Sequence, residues 1–490
     1  MEVTTSNGSR HRWLVVPDQI SKATTIAFVR VFIGVFWLFE VTVGHNWKLG
    51  GFGSGTNPGW VGPGAGDAVR ESIGSAVEDG TWHWVALLYE NAIEPNAALF
   101  SYLVIALQVA LGVFFIFGFL VRPMALLALT FDLSVLFLGN SRIPPFFSAA
   151  HLFVLATGAG MYYGADGWLW VRLDSARGAA ARTLRWLIDV PVFKRTWLQP
   201  ALLSGTALLA LYFFMQMVTR PTPRMNMVSL ELAFLFGIVA VGLHFGRLAT
   251  DRLAVVVALL RVFVGFKFLH EIWVRTEPGV NALPGWASTD QLRGVFETIS
   301  ENHWAPFAWV VDTAVLPAIT FWAIVFGIVQ FAVGVALVVG WRTRFASVIG
   351  LAYLGGLGVL GFTRYAPFAY GLLIAVLALD GGRVLSLDSR KALARKARFG
   401  LPIPRPAVLA FIVIAAANSV AASIAVFSSG GIAPDGYTES MGQMTTAMVA
   451  IFSGMFALMG WLGLRSGGVE PTPETEAHSG SEWFKELASA

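Results

Sequence analysis

Between Thr24 and Leu464 one pattern recurs along the chain. About twelve runs of roughly 20 mostly apolar residues are separated by polar segments, and each run has the length an α-helix needs to cross about 30 Å of hydrocarbon. The pattern predicts spans at 24–45, 97–120, 123–140, 145–164, 199–219, 226–247, 253–273, 317–340, 345–362, 366–380, 406–428 and 442–464. Arg10, Arg12 and Lys22 precede the first run, which is too long for a signal-peptide core and lacks a small-residue cleavage pattern after it. It reads as an uncleaved first helix.

The runs also repeat in order. Arg30-Val-Phe-Ile-Gly34 with Glu40 returns 231 residues later as Arg261-Val-Phe-Val-Gly265 with Glu271. Trp82, Pro95, Gln108, Gly112, Gly118, Arg122 and Arg142 return as Trp304, Pro317, Gln330, Gly334, Gly340, Arg344 and Arg364, all at one offset of 222. The expected architecture is an all-α integral membrane protein built from two tandem, parallel repeats of a four-helix transmembrane bundle, each followed by an extra helix pair. Its parts are a first unit with inner linker at 1–198, a pair at 199–247, a second unit with linker at 248–405, a pair at 406–465 and a polar tail at 466–490. Six crossings return the chain to its starting side, so both copies should share one orientation about an axis along the membrane normal.

Composition makes the bilayer the main solvent: 56% of residues are hydrophobic, 13% are charged and the mean hydropathy is +0.66. Charge then sets the orientation. The connections at 165–198 and 381–405 carry Arg172, Arg177, Arg182, Arg185, Lys194 and Arg195, and Arg383, Arg390, Lys391, Arg395, Lys396, Arg398 and Arg405, which marks both as cytoplasmic and amphipathic. With acidic outer loops, this predicts a multi-pass plasma-membrane protein with both termini cytoplasmic. The pI near 9.4 reflects that orientation and not binding of nucleic acid. With no cysteine, thiol relays, disulfides and thiolate-held iron–sulfur clusters are excluded. No two histidines share a helix at ligand spacing, so neither haem nor another metal centre is expected, and the glycines from Gly50 to Gly66 lack the ending of a phosphate loop, leaving no nucleotide signal.

Candidate chemistry lies in the few polar groups within apolar runs, since each costs at least about 2.5–3.5 kcal/mol in hydrocarbon and needs a partner or a cavity. Arg30 and Arg261 sit about two turns from the inner ends of their helices, with Gly34 and Gly265 one turn further along on the same face; they either tie helix ends through carbonyls or serve a site. Lys267 is four residues before Glu271 and pairs with it by spacing, whereas Phe36 stands where a lysine would serve Glu40, which needs another partner. Gln108 and Gln330 fall near mid-membrane, as interhelical glue or as contacts to a ligand carbonyl. Arg142 and Arg364 precede prolines that start a helix, a candidate anion site on the outer side. His151 and His244 read as packing residues.

Arg-(x)3-Gly on the first helix, Gln four residues before Gly on the second, and Gly then Arg at its inner end form a set that resembles the DoxX/DoxD family. The residues are Arg30, Gly34, Gln108, Gly112, Gly118 and Arg122, and again Arg261, Gly265, Gln330, Gly334, Gly340 and Arg344. The resemblance covers both four-helix units and not the extra pairs. The family commonly has Glu where Gln108 and Gln330 stand, and duplication within one chain is a further departure. The resemblance implies a membrane subunit of a quinone-linked oxidoreductase, the DoxD branch being the large subunit of thiosulfate:quinone oxidoreductase, with quinone as cofactor and a small redox subunit as partner. A small-molecule or ion transporter and an assembly scaffold are the competing readings.

Overall fold

The computed structural model describes residues 13–16, 22–42, 48–49, 56–140, 143–174, 178–189, 198–219, 222–249, 251–274, 289–302, 305–359, 366–389 and 401–404, with isolated residues between 406 and 458. Apart from two short strands, Trp13–Val16 and Leu401–Pro404, paired antiparallel, its regular elements are helical. The expected spans at 406–428 and 442–464 lie largely outside the described residues, as do the tail and most of the second Arg-rich linker.

In chain order the helices are α1 (Lys22–Thr42), α2 (Asp67–Glu78), α3 (His83–Leu88), α4 (Ala97–Phe117), α5 (Val121–Phe137), α6 (Pro144–Thr157), α7 (Ala165–Asp174), α8 (Ala179–Ile188), α9 (Leu198–Thr219), α10 (Pro223–Leu248), α11 (Arg252–Val274), α12 (Thr289–Asn302), α13 (Ala305–Val310), α14 (Ile319–Val339), α15 (Thr343–Val359) and α16 (Ala366–Ala378). The stretch from α2 to α5 and the stretch from α12 to α15 carry the same succession 222 residues apart. In each, a six-residue helix runs through a π-helical turn (Tyr89–Ile93, Val311–Val315) and a 3-10 turn at a proline (Glu94–Asn96, Leu316–Ala318) into a long apolar helix. Proline explains the break, because it removes one backbone donor and crowds the preceding turn.

Six helical segments among the described residues are long and apolar enough to cross a membrane: Thr25–Thr42, His83–Phe117, Gln199–Thr219, Arg224–Gly246, Arg252–Ile272 and Ala308–Val339. Their outer faces expose large apolar side chains, Phe117 at 67%, Leu208 at 66%, Val218 at 74% and Ile328 at 65% among them, a surface that acyl chains can cover and water cannot. The molecule is a helical protein with the length and surface of a membrane-embedded one.

Two of the expected spans come out shorter than a crossing: α5 has 17 residues and α6 has 14, or about 21–25 Å at 1.5 Å per residue, while α15 and α16 border residues 360–365, outside the described residues. α6 stops at Gly158, whose φ of +62° ends the helix, so the apolar run 145–164 outlasts its helix. α6 and α16 sit at the centre of the molecule, against α1 and α11, where Phe36 and Phe368 have ring centroids 4.4 Å apart and Phe147 and Phe368 5.0 Å. Helices enclosed by other helices do not need to reach both interfaces.

Close packing elsewhere follows from glycine. α1 lies on α4 where Gly34 faces Gly112, and α11 lies on α14 where Gly265 faces Gly334; a Cβ on Gly34 or Gly265 would come within 2.9 Å of backbone atoms of the facing helix.

Candidate functional site

Arg30 and Arg261 sit in corresponding clasps, although Arg30 Nε and Nη1 and Arg261 Nε are buried without a hydrogen-bond partner among the described residues. Each is fully buried; Arg30 Nη2 donates to the Tyr163 carbonyl at 3.2 Å, and Arg261 donates to the carbonyls of Gly381 at 3.0 Å and Leu385 at 2.7 Å. The guanidinium of each passes over a glycine in left-handed conformation, Gly118 or Gly340, at the end of the facing long helix. Beside each clasp one carboxylate caps the next helix: Asp166 accepts from the amides of Leu120 (2.6 Å) and Val121 (2.9 Å), and Asp388 from those of Arg342 (2.8 Å) and Thr343 (2.7 Å). Burial pushes the Asp166 carboxyl up to about 6, against the opposing pull of those two amides and of Arg30 and Arg122. Arg122 and Arg344, the inner-end arginines, pair with Asp189 and Asp380. These groups join connectors to helix ends.

Glu40 finds its counter-charge in Lys48, beyond the end of α1. Lys48 is 3% exposed and lies 4.4 Å over the Trp60 ring; burial lowers its ammonium to about 8, while Glu40 resists that shift. Gln108 is buried, with its Oε1 unpartnered among the described residues, and Gln330 is buried too. Arg142 and Arg364, the anion-site candidates, lie outside the described residues.

The strongest chemistry sits in two buried clusters that the sequence analysis brought together only in part. The first joins α10 to α11. Lys267 Nζ donates to Glu231 Oε1 at 2.5 Å, and His270 Nδ1 is 3.0 Å from the same oxygen. The hydrogen-bonded partner of Lys267 is thus Glu231 on the neighbouring helix, whereas spacing along its own helix favoured Glu271. All four groups are at most 6% exposed, and Lys267 Nζ also lies 5.0 Å over the Phe146 ring of α6. Among the described residues Glu231 Oε2, His270 Nε2 and Glu271 Oε1 are buried without a hydrogen-bond partner, an arrangement that costs about 1–3 kcal/mol per group when nothing fills it. His270 Nδ1 lies 3.0 Å from the Glu231 carboxylate oxygen and 3.4 Å from the Lys267 ammonium; the shorter contact favours the tautomer with its proton on Nδ1, which leaves Nε2 as an acceptor.

Further along the same two helices is a cavity of about 100 Å³ between α6, α10 and α11, lined by apolar side chains that include Ala149, Leu235, Val256, Leu259, Leu260 and Phe263. Leu235 stands four residues beyond Glu231 and Phe263 four before Lys267, so the slot begins one helical turn, about 6 Å, from the ion pair.

The second cluster joins α1, α5 and α6. His151 Nδ1 is 2.7 Å from Asp132 Oδ2, the Ser148 hydroxyl donates to that oxygen at 3.2 Å, and the Trp37 indole N–H donates to His151 Nε2 at 3.0 Å. All four side chains are at most 3% exposed. Phe146, Phe147 and Phe368 lie between the clusters: Phe146 touches Lys267, and Phe147 packs on Trp37.

Sequence reasoning missed Asp132 and Glu231, although each is a lone carboxylate inside a predicted span and so carried the same intramembrane-charge signal as Lys267. No family model, curated protein or solved structure matches the chain.

Proposed function

We propose that the chain is the membrane subunit of a quinone-linked redox system, with the head-group site at Glu231, Lys267, His270 and Glu271 and the isoprenoid tail lying in the slot between α6, α10 and α11. The reading takes the two 222-offset stretches as parallel copies of one DoxX/DoxD-like unit within about twelve spans, with both Arg-rich connectors on the cytoplasmic face. One observation carries it: a buried ion pair, with three polar atoms unpartnered among the described residues, lies one helical turn along α10 and α11 from an apolar slot.

The residues fit such a ligand. Lys267 Nζ donates to a carbonyl oxygen; His270 Nε2 and Glu271 Oε1 accept from the hydroxyls of the reduced form. Fold alone does not require this polarity, because the counterparts of Lys267 and His270 at the 231 offset are Phe36 and Phe39, both buried and apolar. A bound quinone supplies the two-electron chemistry, and a partner subunit or a reduced-sulfur anion such as thiosulfate supplies the electrons.

The test is binding of a short-chain quinone to purified protein in nanodiscs, followed by calorimetry. Lys267→Met and Glu231→Gln should each weaken binding at least about tenfold, the loss of one charge-assisted hydrogen bond. Wild-type protein that takes up no quinone overturns the reading.

A further inference from the structure

The Asp132 cluster has no role in the reading above, and its geometry restricts where protons can be. An indole N–H is only a donor, so the bond from Trp37 requires His151 Nε2 to be an unprotonated acceptor. The single proton of the neutral imidazole is then on Nδ1 and points at Asp132 Oδ2. His151 cannot be imidazolium while Trp37 is in place, because two N–H groups would face each other across 3.0 Å. Asp132 therefore has a neutral donor in His151 and another in the Ser148 hydroxyl, both on Oδ2, and no cation bonded to it among the described residues.

Neighbouring charges are committed elsewhere. α4 has Tyr102 as its one ionisable side chain, an exposed phenol that accepts from the Gly62 amide, and α6 has only His151. On α1, Arg30 is bound to the Tyr163 carbonyl and Glu40 faces Lys48. At one end of α5, Arg122 is paired with Asp189 of the α8 segment, on which Arg182 and Arg185 also lie; at the other end, Arg224 of α10 is bound to Asp79 and the Gly139 carbonyl. Glu231, further along α10, is held by Lys267 and His270, and His244 is exposed near that helix's far end. A carboxylate buried without a counter-ion in an apolar bundle is expensive, and the carboxylic acid avoids the cost.

We propose that Asp132, His151 and Trp37 form an intramembrane proton-binding site, in which Asp132 carries the proton on Oδ1 and the Trp37 indole, by occupying His151 Nε2, denies the imidazole that proton. The site is an addition to the fold and no packing requirement. At the positions corresponding to Asp132, His151 and Trp37 in the second stretch stand Leu354, Leu373 and Phe268, all buried, so only Tyr370, at the place of Ser148, brings a polar atom there and none of the proton-carrying groups recurs. Trp37 also makes the site switchable. When its N–H leaves, the proton on Oδ1 can instead reside on Nε2, which gives an imidazolium beside a carboxylate with the proton count unchanged.

The experiment is infrared difference spectroscopy on purified full-length protein in nanodiscs at neutral pH. Wild type should show a carboxylic-acid C=O band that shifts on deuteration and is missing in Asp132→Asn. Trp37→Phe should at least halve that band and raise imidazolium signals that vanish in the Trp37→Phe, His151→Gln double variant. Should Asp132→Asn fail to fold, Ser148→Ala serves instead: it keeps the carboxyl, removes one donor and should shift the band without abolishing it. A wild-type spectrum with no acid band, or a band that ignores both Ser148→Ala and Trp37→Phe, overturns the proposal. Neither result depends on quinone binding.

Discussion

Lys48 shows how a single buried group can be read out through pH. Its ammonium is lowered to about 8 by burial, from an unperturbed value of 10.5, even with Glu40 nearby. The unfolded chain therefore binds more protons than the folded one between about pH 8 and pH 10.5, and stability should rise with pH across that window. Thermal unfolding in detergent should show the melting temperature climbing between those limits for wild type and staying flatter in Lys48→Met, which keeps the stem over Trp60 and has nothing to titrate. A melting temperature that falls over the same range would contradict the burial of Lys48. The residue itself was not legible beforehand. Its partners Glu40 and Trp60 are 8 and 12 residues away through a segment with no regular period, and only tertiary folding sets their distance. Arg30 and Arg261 were legible because the same short sequence surrounds both, 231 residues apart. Asp132 and Glu231 escaped because a reading led by matching positions notices what two stretches share, and Leu354 stands where the 222 offset would repeat Asp132.

Among elements, helix existence followed from hydropathy far better than helix length. The run 145–164 stays mostly apolar past Thr157, yet its helix ends there, because an apolar residue after a left-handed glycine still counts as apolar while the chain has already turned at Gly158. Helix contacts were legible where glycine marked them. Gly34→Ala places a methyl 2.9 Å from the Gly112 carbonyl oxygen and the Ile116 amide nitrogen, backbone atoms that cannot turn aside, so α1 and α4 must part. A loss of about 1–3 kcal/mol is expected, with the same sign for Gly265→Ala between α11 and α14. Gly74→Ala, in α2 with no atom within 4 Å of the new methyl, should instead stabilise by roughly 0.5–1 kcal/mol through helix propensity. Melting curves for the three variants separate the two effects, and equal shifts at Gly34 and Gly74 would remove close approach as the reason for glycine in α1.

At the scale of the molecule the matching clasps carry a topological consequence. Arg30 with Tyr163 and Asp166, and Arg261 with Leu385 and Asp388, sit at the same end of matching helices, and each anchors the start of an Arg-rich connector. If the two stretches are parallel copies, both connectors face the cytoplasm, where arginine is retained. An inverted pair would put them on opposite faces. The chain lacks cysteine, so single thiols report their side without a background. Ala181→Cys on α8 and Ser389→Cys in the second connector should both resist a membrane-impermeant maleimide in intact cells and react once the membrane is opened. Ser72→Cys on α2 and Glu301→Cys on α12, exposed in the matching outer segments, should react without opening. Protection of one connector thiol together with ready labelling of the other would rule out the parallel arrangement, and with it the quinone site argued from one copy's departure from the other. Matching protection would leave the two buried clusters as the places where an otherwise repeated membrane unit has acquired different chemistry in each half.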